Sequence, residues 1–170
     1  VNVYPDSRTL AEIAVQTAKV ARRFGVAPRV AMLSFSNFGS SRAQRSERIE
    51  DAIEFARELD PSLVIDGPMQ ADTALNGDVQ TESPFMDFKG PANVLVLPNL
   101  AAANIAYKLL EELGDAEMTG PILEGMDKPV QLVARQDGVR HIVNMAAICA
   151  ADAIRQDSYW ETLVTPNEDG

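Results

Sequence analysis

The sequence predicts an α/β fold, a parallel sheet covered on both faces by helices. Three observations carry that expectation. Short apolar runs alternate along the chain with longer amphipathic stretches. The runs are Val- and Leu-rich, as strands buried on both faces are. Gly, Pro and Asn recur at the boundaries between them. With 170 residues, 46% of them hydrophobic and 24% charged, the chain has the core material of one ordinary domain or of part of a larger one.

The first element is a helix. Pro5, Asp6 and Ser7 are a start signal, and Leu10, Ile13, Ala14, Thr17, Ala18, Ala21 and Phe24 recur at helical spacing, with Gly25 as the stop. Val30 to Ser34 reads as a buried strand, followed by a polar loop from Ser36 to Ser41. From Ser46 an amphipathic helix places Ile49, Ile53, Ala56 and Leu59 on one face, and Pro61 ends it. Leu63-Val64-Ile65 is the second strand, stopped by Asp66-Gly67-Pro68, and a short helical piece spans Asp72 to Leu75. Asn76 to Pro91 is polar and broken by Gly and Pro, which predicts an exposed loop or lid. Val94 to Leu97 is the third strand, ended by Pro98-Asn99, and a long helix runs from Leu100 to Leu113 with Gly114 behind it. Ala116 to Ile122 and Pro129 to Val133 are expected as two further strands, Gly138 to about Ile154 as a closing helix, and residues 165–170 as a polar tail. A βα pattern that opens on a helix predicts that something precedes it in a longer unit.

Composition narrows the function. Fifteen Lys and Arg against 25 Asp and Glu give a net charge of -10, which lacks the basic footprint of a nucleic-acid binder. The apolar stretches are too short for a membrane span. One cysteine, Cys149, excludes an internal disulfide framework and fits a reducing cytoplasm. An anionic ligand would have to be met by a few placed cations.

Several groups are candidates for that role. The loops after the strands, around Ser36, Pro68, Pro98 and Gly120, are expected to gather at one sheet edge. The hydroxyl- and amide-rich segment Ser34 to Ser41 suits either an anion cradled by backbone N–H groups or a polar turn that caps the next helix. It matches neither the P-loop nor the dinucleotide fingerprint. Arg135, with Arg140 close behind, suits either a phosphate or a surface ion pair. Asp66, Asp72, Asp78 and Asp87 lack a metal-ligand spacing and read as solvated acids. His141, the sole histidine, has no triad partners in the sequence, and no metal site is expected.

Five ordered motifs are more specific. Met32 to Ser40 (MLSFSNFGS), Asp66 to Asp72 (DGPMQAD), Ala92 to Leu100 (ANVLVLPNL), Ala103 to Leu109 (ANIAYKL) and Gly120 to Leu123 (GPIL) resemble the phosphate acetyltransferase family. Asn37 and Phe38 resemble the version at the C-terminus of large bacterial NADP-dependent malic enzymes, where active acetyltransferases usually carry a Thr-Lys pair. The resemblance implies a three-layer subdomain of the phosphate acetyltransferase (isocitrate/isopropylmalate dehydrogenase-like) fold. Residues 1–164 would be the C-terminal half of a two-subdomain unit that holds coenzyme A in its cleft and dimerises through this half. It also implies ligand-binding roles, toward acetyl-CoA or phosphate, for Ser36, Asn37, Ser40, Asn99, Arg135 and His141. Active members carry a Ser-Arg pair and then an Asp before Ile-Val-Asn; this chain has Ala134, Arg135 and His141 before Ile142-Val143-Asn144.

A carboxylate that assists thiol deprotonation and a hydroxyl that positions the oxyanion are therefore missing from those positions. The resemblance then implies a regulatory and oligomerisation module that binds acetyl-CoA as effector and has no catalytic residues or cofactor of its own. NADP and a divalent metal would belong to an N-terminal malic enzyme domain of the same polypeptide. Two alternatives stay open: an active phosphate acetyltransferase using Ser36, Ser40 and Arg135, and a dimerisation half whose ligand site has decayed.

Overall fold

The structure, a computed structural model, describes residues 2–38, 44–80, 86–114 and 116–164. The chain falls into two compact units, Val1–Gly114 and Asp115–Gly170. The first contains α1 (Ser7–Arg23), β1 (Arg29–Leu33), α2 (Gln44–Leu59), β2 (Val64–Met69), α3 (Ala71–Leu75), α4 (Gly77–Gln80), β3 (Val94–Val96) and α5 (Leu100–Leu113). The second contains α6 (Val139–Val164).

The Asp6 carboxylate starts α1 by accepting the Thr9 N–H at 2.8 Å. Gly25, at φ +76°, follows its C-cap, a conformation that costs glycine little. Between these ends Leu10, Ala11, Ala14, Val15 and Ala18 are buried. Ala52 and Ala56 of α2 are also fully buried, and these small side chains let the two helices pack closely on one sheet face.

The sheet is parallel with order β2-β1-β3. Val30 stands opposite Ile65 on one side and Val94 on the other. Alternation along the strands sends Val30, Met32, Ile65, Val94 and Val96 into the core shared with α1 and α2, and Ala31 and Met69 into a second core on the opposite face. That second core contains Ala74 of α3 together with Met86, Phe88 and Ala92.

Four expectations change. First, segment 76–91 is not simply an exposed loop: Gln80, Met86 and Phe88 are buried and form part of the layer over the second face. The Gln80 amide makes this possible by donating to the Thr73, Ala74 and Gly90 carbonyls at 3.1, 3.3 and 3.0 Å. Residues 81–85 lie outside the described part.

Second, β2 does not stop at Ile65 but continues through Asp66-Gly67-Pro68 to Met69, with a register irregularity opposite Ala31 and Leu33. Gly67 permits this at φ +141°, where an added Cβ would stand 2.6 Å from the Met32 carbonyl oxygen.

Third, among the described residues neither 116–122 nor 129–133 is a strand. A strand requires a ladder, and Pro121 and Pro129 bring no N–H to one. These stretches are tied by side chains instead: Gln131 Oε1 accepts from the Leu123 N–H at 3.1 Å, and Cys149 Sγ lies 3.5 Å from the Pro129 carbonyl oxygen. Fourth, α6 runs to Val164, past the expected end near Ile154. Among the described residues no helix is long and apolar enough to cross a membrane. The expected tail, 165–170, lies outside the described residues.

Candidate functional site

The order β2-β1-β3 fixes where a ligand can dock. The chain leaves central β1 toward β2 on one side and returns to β3 on the other, so the crevice beyond the carboxyl ends of β1 and β3 is a topological switch point. A cleft of about 730 Å3 opens there. Ser34 and Phe35, which follow β1, form one wall, and Pro98, Asn99 and Ala101, which follow β3, form another. Arg48 and Ile49 of α2 and Tyr4 complete the lining.

Asn99 caps α5, its side-chain oxygen accepting the Ala102 N–H at 2.9 Å. Arg48 is half-buried; its Nη1 donates to the Pro5 carbonyl at 2.5 Å and its Nη2 to the Pro98 carbonyl at 2.9 Å. Spacing explains its direction. Arg48, Ala52 and Ala56 lie four residues apart on one helical stripe, and the two alanines are at the core, so the arginine continues that stripe beyond the sheet end.

Asn37 and Phe38 are absorbed by packing. Asn37 Nδ2 donates to Gln70 Oε1 at 3.1 Å, its Oδ1 accepts the Gln70 N–H at 2.7 Å, and Gln70 Nε2 donates to the Phe35 carbonyl at 3.0 Å. These three bonds clamp the loop after β1 to the end of β2. Phe38, at φ +44°, packs against the second core while its N–H donates to the Pro68 carbonyl at 2.7 Å. Ser36 is buried, and its hydroxyl has no hydrogen-bond partner among the described residues. Ser40 lies outside the described residues.

Asp66, expected as a solvated acid, is buried instead. Its carboxylate accepts the Gly67 and Asp87 N–H groups at 2.8 Å each, holding loop 86–92 to β2. Burial pushes its carboxyl above the ordinary aspartate range, against those two bonds. Asp87 itself pairs with Arg57. Among the described residues no three His, Cys, Asp or Glu side chains cluster to hold a metal.

The second unit holds Arg135 and His141. Residues Ala134 to Asp137 form a turn closed twice: the Asp137 N–H donates to the Ala134 carbonyl at 3.1 Å, and Asp137 Oδ2 accepts the Ala134 N–H at 2.6 Å. His141 Nε2 lies 3.5 Å from the same carboxylate oxygen, one helical turn away. Arg135 is exposed on the turn. Arg140 pairs with Glu117 at 3.1 Å, both well exposed, which is the surface ion pair among the two expectations for it.

The match that decides ancestry covers most of this architecture. A family model described as phosphate acetyl/butaryl transferase matches residues 1–150. The chain belongs to that family. Among relatives, it is 43% identical over 155 residues to a phosphate acetyltransferase of Bacillus subtilis, covering 91% of this chain and 48% of the relative. It is 45% identical over 158 residues to an NADP-dependent malic enzyme of Escherichia coli, covering 92% of this chain and 21% of the relative. The crystal structure of a phosphotransacetylase from Streptococcus pyogenes superposes with a TM-score of 0.85 at 40% identity, over 91% of this chain and 47% of that one.

The chain thus spans about half the length of the Bacillus subtilis phosphate acetyltransferase and about a fifth of the Escherichia coli malic enzyme. Its strand-end crevice is lined by Ser34, part of the polar segment expected from the sequence, and by Arg48 and Tyr4, neither of them singled out from sequence. Arg48 had one legible signal, its place on the stripe of Ala52 and Ala56; Tyr4, ahead of α1, had none.

Proposed function

We propose that the chain is the acetyl-CoA-sensing and oligomerisation module of an NADP-dependent malic enzyme, whose other domain converts malate to pyruvate, and that it has no transferase activity of its own. The observation that carries this reading is the clamp at Asn37. Where the active family pattern places a Thr-Lys pair, this chain places an amide engaged with Gln70 and a phenyl ring packed against the second core. Ala134 and His141 stand where that pattern has a hydroxyl and a carboxylate.

A binding site does not need those groups, and the cleft with Arg48 and Asn99 remains available to a phosphate-bearing ligand. Oligomerisation is supported by α5: Ile105, Leu109 and Leu113 recur at one helical face, all exposed, and no residue of the helix is buried. A second copy of the chain is the proposed occupant of that face, in the cytoplasm where the parent's substrates are found.

The alternative is an active acetyltransferase, favoured by the buried, unpartnered hydroxyl of Ser36. Titration of acetyl-CoA into the longer polypeptide, with malate oxidation and acetyl-phosphate formation followed in parallel, separates the two. Saturable binding that lowers malate turnover, with negligible acetyl phosphate, is expected. CoA-dependent acetyl transfer that falls by orders of magnitude on Arg135→Ala would establish the alternative. No binding and no effect on malate kinetics would leave only the oligomerisation role.

A further inference from the structure

We propose that Arg48 is the anion-recognition residue of the cleft between β1 and β3, and that it receives a phosphate group. The inference deepens the acetyl-CoA reading, since that ligand carries phosphates, but the site lies wholly within the first unit and has its own test.

Three observations converge. Arg48 is the one charged side chain lining the cleft among the described residues, so an anion entering it meets a cation and no carboxylate. Its two hydrogen-bond acceptors among the described residues, the Pro5 and Pro98 carbonyls, are neutral. Arg22, Arg57 and Arg140 are instead each matched to an aspartate or glutamate. In a chain of net charge -10, a half-buried guanidinium held by carbonyls at a strand-end crevice keeps its charge for something else.

The third observation is donor arithmetic. A guanidinium has five N–H donors in a rigid fork. One on each Nη is engaged by a loop carbonyl, which fixes the plane at both ends and leaves three donors. A phosphate is the acceptor that can use several of them together. Across the cleft, Asn99 has its side-chain oxygen engaged by Ala102, which leaves the amide N–H2 to donate as well.

The experiment titrates inorganic phosphate, coenzyme A and phosphate-free pantetheine calorimetrically into the 170-residue chain and its Arg48→Lys, Arg48→Gln and Lys19→Gln variants. Lys19 is an exposed cation of α1 outside the cleft and controls for net charge. Phosphate and coenzyme A are expected to weaken about tenfold in Arg48→Gln, the size of one lost charge-assisted contact, and by less in Arg48→Lys. Lys19→Gln should leave both unchanged, and pantetheine should not respond to Arg48.

Phosphate binding that depends on Arg48, with no coenzyme A binding by this chain or by the longer polypeptide, would support the anion site and sink the acetyl-CoA reading. Coenzyme A binding of equal strength in all variants would overturn the role of Arg48 and leave that reading standing. Equal losses in Arg48→Lys and Arg48→Gln that track melting temperature would make the residue a strut alone and overturn the proposal, as would no phosphate binding by the unsubstituted chain. If Arg48→Gln does not fold, phosphate protection of Arg48 against phenylglyoxal in the unsubstituted chain, read by peptide mass spectrometry, tests the same point; absence of protection refutes it.

Discussion

Residues 2–114 and 116–164 use apolar side chains in opposite ways. In the first unit Leu10, Ile49 and Ile65 are almost wholly buried between helices and sheet. In the second, Met145 alone is buried among the described residues, while Val130, Leu132, Val133, Ile142 and Val143 stand exposed. The sequences of the two parts show the same kind of apolar patterning. Hydrophobic period is a local property of the chain, whereas burial requires a partner element. Helix α5 belongs with the second case: it is capped at both ends and buries nothing. On the proposed reading, α5 and the second unit carry the apolar surface available to a second copy of the chain.

The sharpest way to break this comparison is to delete a side chain on each side of it. Ile65→Ala is expected to cost about 2–5 kcal/mol in urea denaturation, because the surrounding core cannot close the gap. Ile142→Ala is expected to change stability by no more than about 0.5 kcal/mol, since an exposed helical position loses little and alanine favours the helix. Equal costs would void the distinction. A cost for Ile142→Ala that rises to the core range only in the longer polypeptide would sharpen it.

A backbone version of the contrast lies within the first unit. Gly67→Ala would bring its new Cβ to 2.6 Å from the Met32 carbonyl, at φ +141°, where side chains are strained; about 1–3 kcal/mol is expected. Gly77→Ala meets nothing within 4 Å and carries no positive φ, so its effect should lie within about 0.5 kcal/mol of zero. Melting curves of the pair test whether β2 is pinned through Asp66-Gly67-Pro68.

Helices and the three central strands were legible because their signals are local: Asp6 as a cap, Gly25 as a stop, Val30 and Val94 as buried runs, Pro98-Asn99 as the end of the last of them. Segment 116–133 misled because its apolar runs carry a strand's composition, and composition does not reveal whether a ladder partner exists. Segment 76–91 misled in the other direction. Its polar residues hid Gln80, whose Nε2 donates to the backbone carbonyls of Thr73, Ala74 and Gly90, and hid the burial of Met86 and Phe88. At the site, Asn99 was legible through the motif that contains it. Arg48 showed only its place on the stripe of Ala52 and Ala56, since its bonds reach Pro5 and Pro98, 43 and 50 residues away.

An intermediate effect is expected at the cap that opens α5. Asn99→Ala removes the acceptor for the Ala102 N–H and should cost about 1 kcal/mol. Because no residue of α5 is buried, the loss should stay local. Hydrogen exchange in the first turn of α5 should accelerate while α1 and α2 keep their protection. Loss of protection throughout the unit would show that α5 is coupled to the core after all.

The smallest effects are electrostatic, and they have opposite signs at two aspartates. Asp60 accepts from the Ser62 hydroxyl at 2.6 Å and pairs with Arg22 at 2.8 Å; the Ser62 bond, then Arg22, holds its carboxyl below the ordinary range. Its contribution is present above the ordinary aspartate value and is lost as pH falls through the lower folded one. Asp66 is the reverse. Burial favours its protonated form in the folded state, so its contribution is full below the ordinary value and is lost as pH rises through the raised folded one. Urea midpoints between pH 2.5 and 7 should therefore show Asp60→Asn flattening the acid-side loss of stability. Asp66→Asn should remove a loss that grows as pH rises from about the ordinary aspartate value. The partial exposure of the Arg22 pair keeps the first effect modest. If both variants changed the pH slope in the same direction, the Asp66 carboxylate would not be buried as its bonds to Gly67 and Asp87 require, and the covering of the second sheet face by loop 86–92 would have to be reconsidered.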